Sequence, residues 1–263
     1  GADAKVDYDE IILRWMDRYL KGIDNGNARE KPVRIFVMGD NKWRREDAWP
    51  LKRAETTDYI LSASDRKGPG RLLEHLSEMS SDYSELLSDP AHPVTDPYAE
   101  FGARDYKSLE GRDDVIVFDS FPFEKDTEVT GPIQATIYAS ADAPDFDLWV
   151  RILDVWPDGR AFNLMSPGLD VLRASYRNAS LKPELLEPGK VYKLTLDRLL
   201  TSNVFKKGHK LRVQITGAFA PHFSRNLQTG ESELTSSKTR VGHIRIYHWS
   251  NTPSSVTVPI VPR

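Results

Sequence analysis

Thr130–Leu164 reads TGPIQATIYASADAPDFDLWVRILDVWPDGRAFNL, and this stretch decides the fold class. Ile133, Ala135, Ile137 and Ala139 alternate with Gln134, Thr136, Tyr138 and Ser140. Beyond a polar turn, Leu148, Val150 and Ile152 alternate with Trp149, Arg151 and Leu153. Successive strand side chains point to opposite faces, so each run lays one apolar row on a core. Ala141–Asp147, with Pro144 and three aspartates, reads as a surface loop. Pro157-Asp158-Gly159 reads as a tight turn with glycine where φ can be positive. Two long strands with no helix between them predict an antiparallel sheet.

The pattern continues outward. From Val115 onward strands are expected near 115–118, 132–140, 147–155, 171–177, 190–197, 210–217, 243–249 and 255–260. Upstream, Val33, Ile35 and Val37 predict a strand within 32–38, and residues 54–64 predict another. Asn41–Leu51 reads as a charged loop carrying Trp43 and Trp49. Residues 65–112 are the least regular part, with helical spacing of Leu72, Leu76, Met79 and Tyr83 over 71–87. Many strands separated by turns, without intervening helices, predict a two-sheet sandwich of jelly-roll type.

One amphipathic helix stands apart. Over residues 7–23, Ile11, Ile12, Trp15, Met16, Tyr19, Leu20 and Ile23 recur at helical spacing. Asp7 is placed to cap its start, with Glu10 three residues on, and Gly22 to stop it. Such a stripe is expected to be buried, on this chain's own sandwich first and in self-association second.

Composition narrows the function classes. The chain has 263 residues, 39% hydrophobic and 29% charged, with a net charge of −3. That charge supplies no field suited to nucleic acid or an anionic membrane. No apolar run approaches the ~18 residues of a spanning helix. Gly1-Ala2-Asp3-Ala4 leads into charge rather than an apolar h-region, and the compartment stays open. Without cysteine, thiol catalysis and disulfides fall away. No serine sits in Gly-x-Ser-x-Gly; Ser166, in Leu164-Met165-Ser166-Pro167-Gly168, comes nearest and reads as a loop serine. His75, His92, His209, His222, His243 and His248 form no ligand pattern, and no cofactor is expected. Asp142, Asp145 and Asp147 are the one compact acidic cluster and a weak calcium candidate. Trp149, Trp156, Phe219, His222 and Phe223 are candidates for a pocket or an interdomain contact.

The same residues carry a resemblance. EVTGPIQATIYASADAPDFDLWVRILDVWPDGRAFNL (128–164) resembles the start of the C-terminal β-sandwich of serine hydrolases of the cocaine esterase and X-Pro dipeptidyl-peptidase type. That family also includes α-amino acid ester hydrolases and glutaryl acylases. Asn203-Val204-Phe205-Lys206-Lys207-Gly208-His209 and Pro221-x-Phe223-x-Arg225-Asn226 are its most specific parts, and Asp89-Pro90-Ala91-His92-Pro93-Val94 and the final HIRIYHWSNTPSSVTVPIVPR also fit.

The resemblance implies a mainly β, galactose-binding-like jelly roll with an N-terminal amphipathic helix and an irregular, partly helical segment. Residues 1–31 would be the last helix of an α/β-hydrolase domain plus a linker. Residues 32–263 would be the jelly roll, with an irregular insertion at about 65–112. The Ser, Asp and His of the family's triad would all lie upstream, so this segment would be inactive alone. It would brace its catalytic domain, help wall the acyl pocket, and form a homo-oligomer as an option. A stand-alone carbohydrate- or ligand-binding jelly roll is the alternative, against which the helix at 7–23 argues.

Overall fold

The computed structural model describes residues 2–63, 68–75, 83–249 and 251–263. Helix α1 spans Tyr8–Tyr19. The first five strands are β1 (Val33–Val37), β2 (Lys42–Glu46), β3 (Glu55–Ser62), β4 (Gly70–Leu73) and β5 (Tyr83–Ser88). Then come β6 (Val115–Asp119), β7 (Thr127–Ala141), β8 (Asp147–Val155), β9 (Ala161–Asn163) and β10 (Val171–Arg173). The last four are β11 (Tyr192–Phe205), β12 (Lys210–Thr216), β13 (Gly242–Tyr247) and β14 (Ser255–Val261).

One hydrogen-bonded path runs β10-β8-β12-β6-β4-β3-β14-β7-β13-β5, with β11 on the other edge of β7 and β9 on β8. The path folds over where β4 pairs in parallel with β6, making two layers with one core between them. Ile133, Ala135, Ile137 and Ala139 of β7 meet Leu148, Val150 and Ile152 of β8 there, all buried. These are the two rows anticipated from alternation, and the architecture is the mainly β sandwich expected. Gly159 takes φ 87 and donates its N–H to Trp156 O at 2.9 Å, closing the turn after β8.

Several elements depart from the sequence reading. Residues 41–51 are not all loop: β2 pairs with β1, and Phe36 lies edge-on to Trp43 at 5.3 Å. β7 and β11 run longer than expected, in one antiparallel ladder interrupted by a register shift between Leu196 and Leu199. The strand expected at 171–177 ends at Arg173 and turns into a 3-10 segment, Ala174–Tyr176. The helix expected over 71–87 is overturned at both ends, since Leu72 lies in β4 and Tyr83 in β5. Its middle, 76–82, lies outside the described residues. The steps of four, Leu72 to Leu76 and Met79 to Tyr83, are even, so each fits one face of a strand as well as one face of a helix.

The expectation that α1 packs on the sandwich is also overturned. Asp7 caps it as anticipated, its Oδ1 accepting the Glu10 N–H at 3.0 Å. Yet no residue of α1 is buried. Trp15 is 53% exposed and Leu20, just beyond the helix, 73%. What holds the helix is polar: Asn25 Nδ2 donates to Arg14 O at 2.6 Å, and Arg14 pairs with Glu30 at 3.0 Å. The stripe faces outward because the tethers grip the opposite side.

Candidate functional site

All nine residues of β8 are buried, so its second face is covered too. The cover comes from the irregular 94–109 stretch and from residues 218–223. Val94 O accepts the Ala220 N–H at 2.8 Å, and Ala220 O accepts the Asp96 N–H at 2.7 Å. Tyr106 N–H donates to Ala161 O at 2.8 Å. A second apolar cluster results, with Val94, Tyr106, Leu109, Trp149, Leu153 and Phe219 among its members.

Arg151 lies inside that cover, 2% exposed. Its guanidinium carbon sits 4.0 Å from the Tyr106 ring centroid and 4.1 Å from that of Phe219. Nη1 donates to Gln214 Oε1 at 3.2 Å, and Nε lies 3.7 Å from the buried carboxylate of Asp170. The other Nη has no hydrogen-bond partner among the described residues. Two ring faces offset part of that loss, because a cation over an aromatic face is attracted by its quadrupole. Burial draws the Arg151 pKa down and pushes that of Asp170 up, the directions expected of ions taken out of water.

Four of the five aromatic candidates gather here. Trp149 lies 5.5 Å from Phe219 and 5.7 Å from Phe223, and His222 stacks on Phe219 at 5.3 Å. His222 Nε2 is 2.7 Å from Asp96 Oδ2, which also accepts the Tyr106 hydroxyl at 3.2 Å. The rim is apolar and open: Phe101 is 70% exposed and Phe223 51%. Trp149 itself is 1% exposed, so it supports the surface from beneath and cannot touch a partner. Trp156 stands apart, seven residues or roughly 23 Å along the strand, with Phe162 at 5.1 Å and His209 at 5.4 Å. Arg151, Tyr106, Asp96 and Phe101 were missed in the sequence; an arginine in mid-strand, flanked by apolar residues, was the available signal.

The aspartates do not converge. Asp142 is exposed, accepts the His243 N–H at 2.9 Å and pairs with Arg240 at 3.2 Å. Asp145 accepts from Phe146 N, Ser175 N, Ser175 Oγ and Asn226 Nδ2. Asp147 takes Arg173 Nε at 2.8 Å and Asn226 Nδ2 at 3.0 Å. Their oxygens hold N–H and O–H donors, and no group of three His, Asp or Glu is arranged for a metal among the described residues. The loop expected at the surface is largely buried, with Ala143 and Phe146 at 0% exposure. Its carboxylates serve as ties between segments.

Ser84 Oγ lies 2.9 Å from His248 Nε2, but His248 Nδ1 has no hydrogen-bond partner among the described residues. His92, His209, His222 and His243 contact Asp89, Asp154, Asp96 and Glu85, none with a serine. A triad needs base, nucleophile and orienting carboxylate in one chain of contacts.

The class that emerges is an accessory β-sandwich: an apolar aromatic rim on one layer, an exposed amphipathic helix, and no assembled nucleophile among the described residues. The chain belongs to the X-Pro dipeptidyl-peptidase C-terminal non-catalytic domain family, whose profile matches residues 25–257. It is 33% identical over 264 residues to cocaine esterase of Rhodococcus sp., covering 95% of this chain and 45% of that protein. The chain therefore spans about half the length of that relative. An α-amino acid ester hydrolase structure superposes with TM-score 0.81 at 23% identity, covering 95% of this chain and 44% of that one. An aminopeptidase from a marine sediment archaeon (Thaumarchaeota) does so with TM-score 0.81 at 24% identity, covering 96% and 43%.

Proposed function

We propose that this chain braces an upstream α/β-hydrolase domain and lends the Phe101–Phe223 rim to the wall of its acyl pocket. The parent enzyme cleaves an ester or amide acyl bond through a serine nucleophile that the upstream domain supplies. The observation that carries this reading is the outward stripe of α1. Exposed apolar patches of this size mark contact surfaces. The family's place at the C-terminal end of longer hydrolases puts the partner upstream. Phe101 and Phe223 stand on a rigid underlayer of Trp149, Phe219 and Arg151, which suits a wall that must hold its shape.

Reconstitution tests it. The chain alone should leave p-nitrophenyl acyl esters at the background rate, and the separately produced upstream segment should gain activity when the chain is added. Phe223→Ala should then change KM for bulky acyl groups more than kcat. An upstream segment equally active without this chain would overturn the bracing role, and an unchanged acyl preference in the variant would overturn the pocket role.

A further inference from the structure

The opposite layer carries a second surface that the reading above does not use. On the outer face of β5, β13 and β7, Glu85, Arg245 and Ser140 fall in one cross-strand row, since Arg245 registers with both Glu85 and Ser140. With the loop at Asp142 and the turn at Gly189 they line an open groove of about 550 Å³, within the ~300–1,000 Å³ of small-molecule sites. It lies at the far end of β7 from the β1–β2 hairpin, which joins at Glu128 through Arg44. Glu128 and Ser140 are twelve residues apart on β7, roughly 40 Å at ~3.3 Å each.

The polar groups of the groove are paired with one another and still have capacity. Glu85 Oε2 accepts Arg245 Nε at 2.7 Å, while no acceptor bonds the Arg245 Nη groups among the described residues. The guanidinium is held over the Tyr83 ring at 4.7 Å. Ser140 Oγ and Tyr247 Oη meet at 2.9 Å in the floor; one donates to the other, which leaves the pair one further donor and free lone pairs. Each carboxylate of the lining already has a cationic partner: Glu85 pairs with Arg245 and lies 3.4 Å from His243, and Asp142 pairs with Arg240 just outside the lining, so a free ion of either sign meets charges that are already paired. Beside the groove runs an aromatic track: Tyr83 to Tyr247 at 6.0 Å and Tyr247 to Trp249 at 4.5 Å. Tyr83 is 40% exposed.

We propose that this groove binds a neutral oligosaccharide. A sugar ring offers an apolar C–H face for Tyr83 and Trp249. Its rim of hydroxyls, each both donor and acceptor, matches a wall of paired carboxylates and guanidiniums. Because every charge of the lining is paired, an uncharged ligand is favoured over an ion.

The test titrates the 263-residue chain by calorimetry with cellotetraose, xylotetraose, mannotetraose and maltotetraose. At least one should bind saturably. Arg245→Lys, which keeps the charge and loses the planar fork, and Tyr83→Ala should each weaken it by about tenfold or more. Leu181→Ala, at a side chain 99% exposed and outside the groove, should bind as the parent does. Melting curves of each variant separate lost binding from lost folding, and Glu85→Gln provides an isosteric second probe. The proposal is overturned if none of the four binds, or if binding persists in Arg245→Lys and Glu85→Gln. Failure of the hydrolase reconstitution would leave this result untouched, and the reverse also holds.

Discussion

Replacing Trp15 and Leu20 by aspartate separates a docking helix from a structural one. Seven stripe residues, Ile11, Ile12, Trp15, Met16, Tyr19, Leu20 and Ile23, keep 43–73% of their surface in water. Full burial of such a side chain is worth about 1.5–3 kcal/mol, so the half still open is worth about 1 kcal/mol each and about 5–10 kcal/mol in all. That gain appears only when a partner covers the stripe, and part of it offsets the cost of association. In the isolated chain the two substitutions touch nothing buried. Exposed changes of this kind stay within about 0.5 kcal/mol each, a shift of ~1–2 °C in a domain of this size. Differential scanning fluorimetry of the chain alone should therefore show nearly unchanged melting. Calorimetric titration against the upstream segment should show binding lost in the double variant. A fall of many degrees in the isolated chain would mean that the helix is packed after all. Unchanged binding would mean that the helix is not the docking surface.

Trp149→Ala removes a side chain 1% exposed beneath the irregular cover of β8 and should cost about 3–5 kcal/mol, read as a lower urea midpoint. Gly39→Ala should destabilise and shift the β1–β2 hairpin, because φ is +81 and an added Cβ would stand 2.3 Å from Val204 O; unchanged melting would show that the hairpin moves freely. His248 is pushed by burial from 6.5 down to about 4, so its folded form resists the proton that the unfolded chain accepts. Stability from this group is present above pH 6.5 and is lost as pH falls toward about 4, a change of about 3 kcal/mol at most. His248→Leu should flatten urea midpoints across that window, and an unaltered slope would assign the acid sensitivity elsewhere.

Alternation alone identified the core rows of β7 and β8, because a period of two in apolar residues has one stable use, a face laid on a core. Likewise the start of α1 was legible from Asp7, whose capping bond is local in sequence. The family motifs lie in these same regular parts, so the fold class and the lineage could be read together. Tertiary structure alone decided the site. Arg151 meets Tyr106 and Phe219 from positions 45 and 68 residues away, through a segment without periodicity. The near-continuous apolar run around Arg151 signals that β8 is buried on both faces, but it does not say by what, since the outer cover is an irregular loop whose order comes from contacts such as Asp96–His222. The aspartates of the β7–β8 loop show the converse limit. Their composition matches an ion site, and only the positions of Ser175, Asn226 and Arg173 reveal that their oxygens are already bound. The steps of four, Leu72 to Leu76 and Met79 to Tyr83, misled because each is common to strand and helix, and the pairing of β4 with β3 and of β5 with β13 settled the choice for Leu72 and Tyr83. The direction in which α1 faces was decided by Arg14–Glu30 and Asn25, polar tethers that hydrophobic spacing does not register.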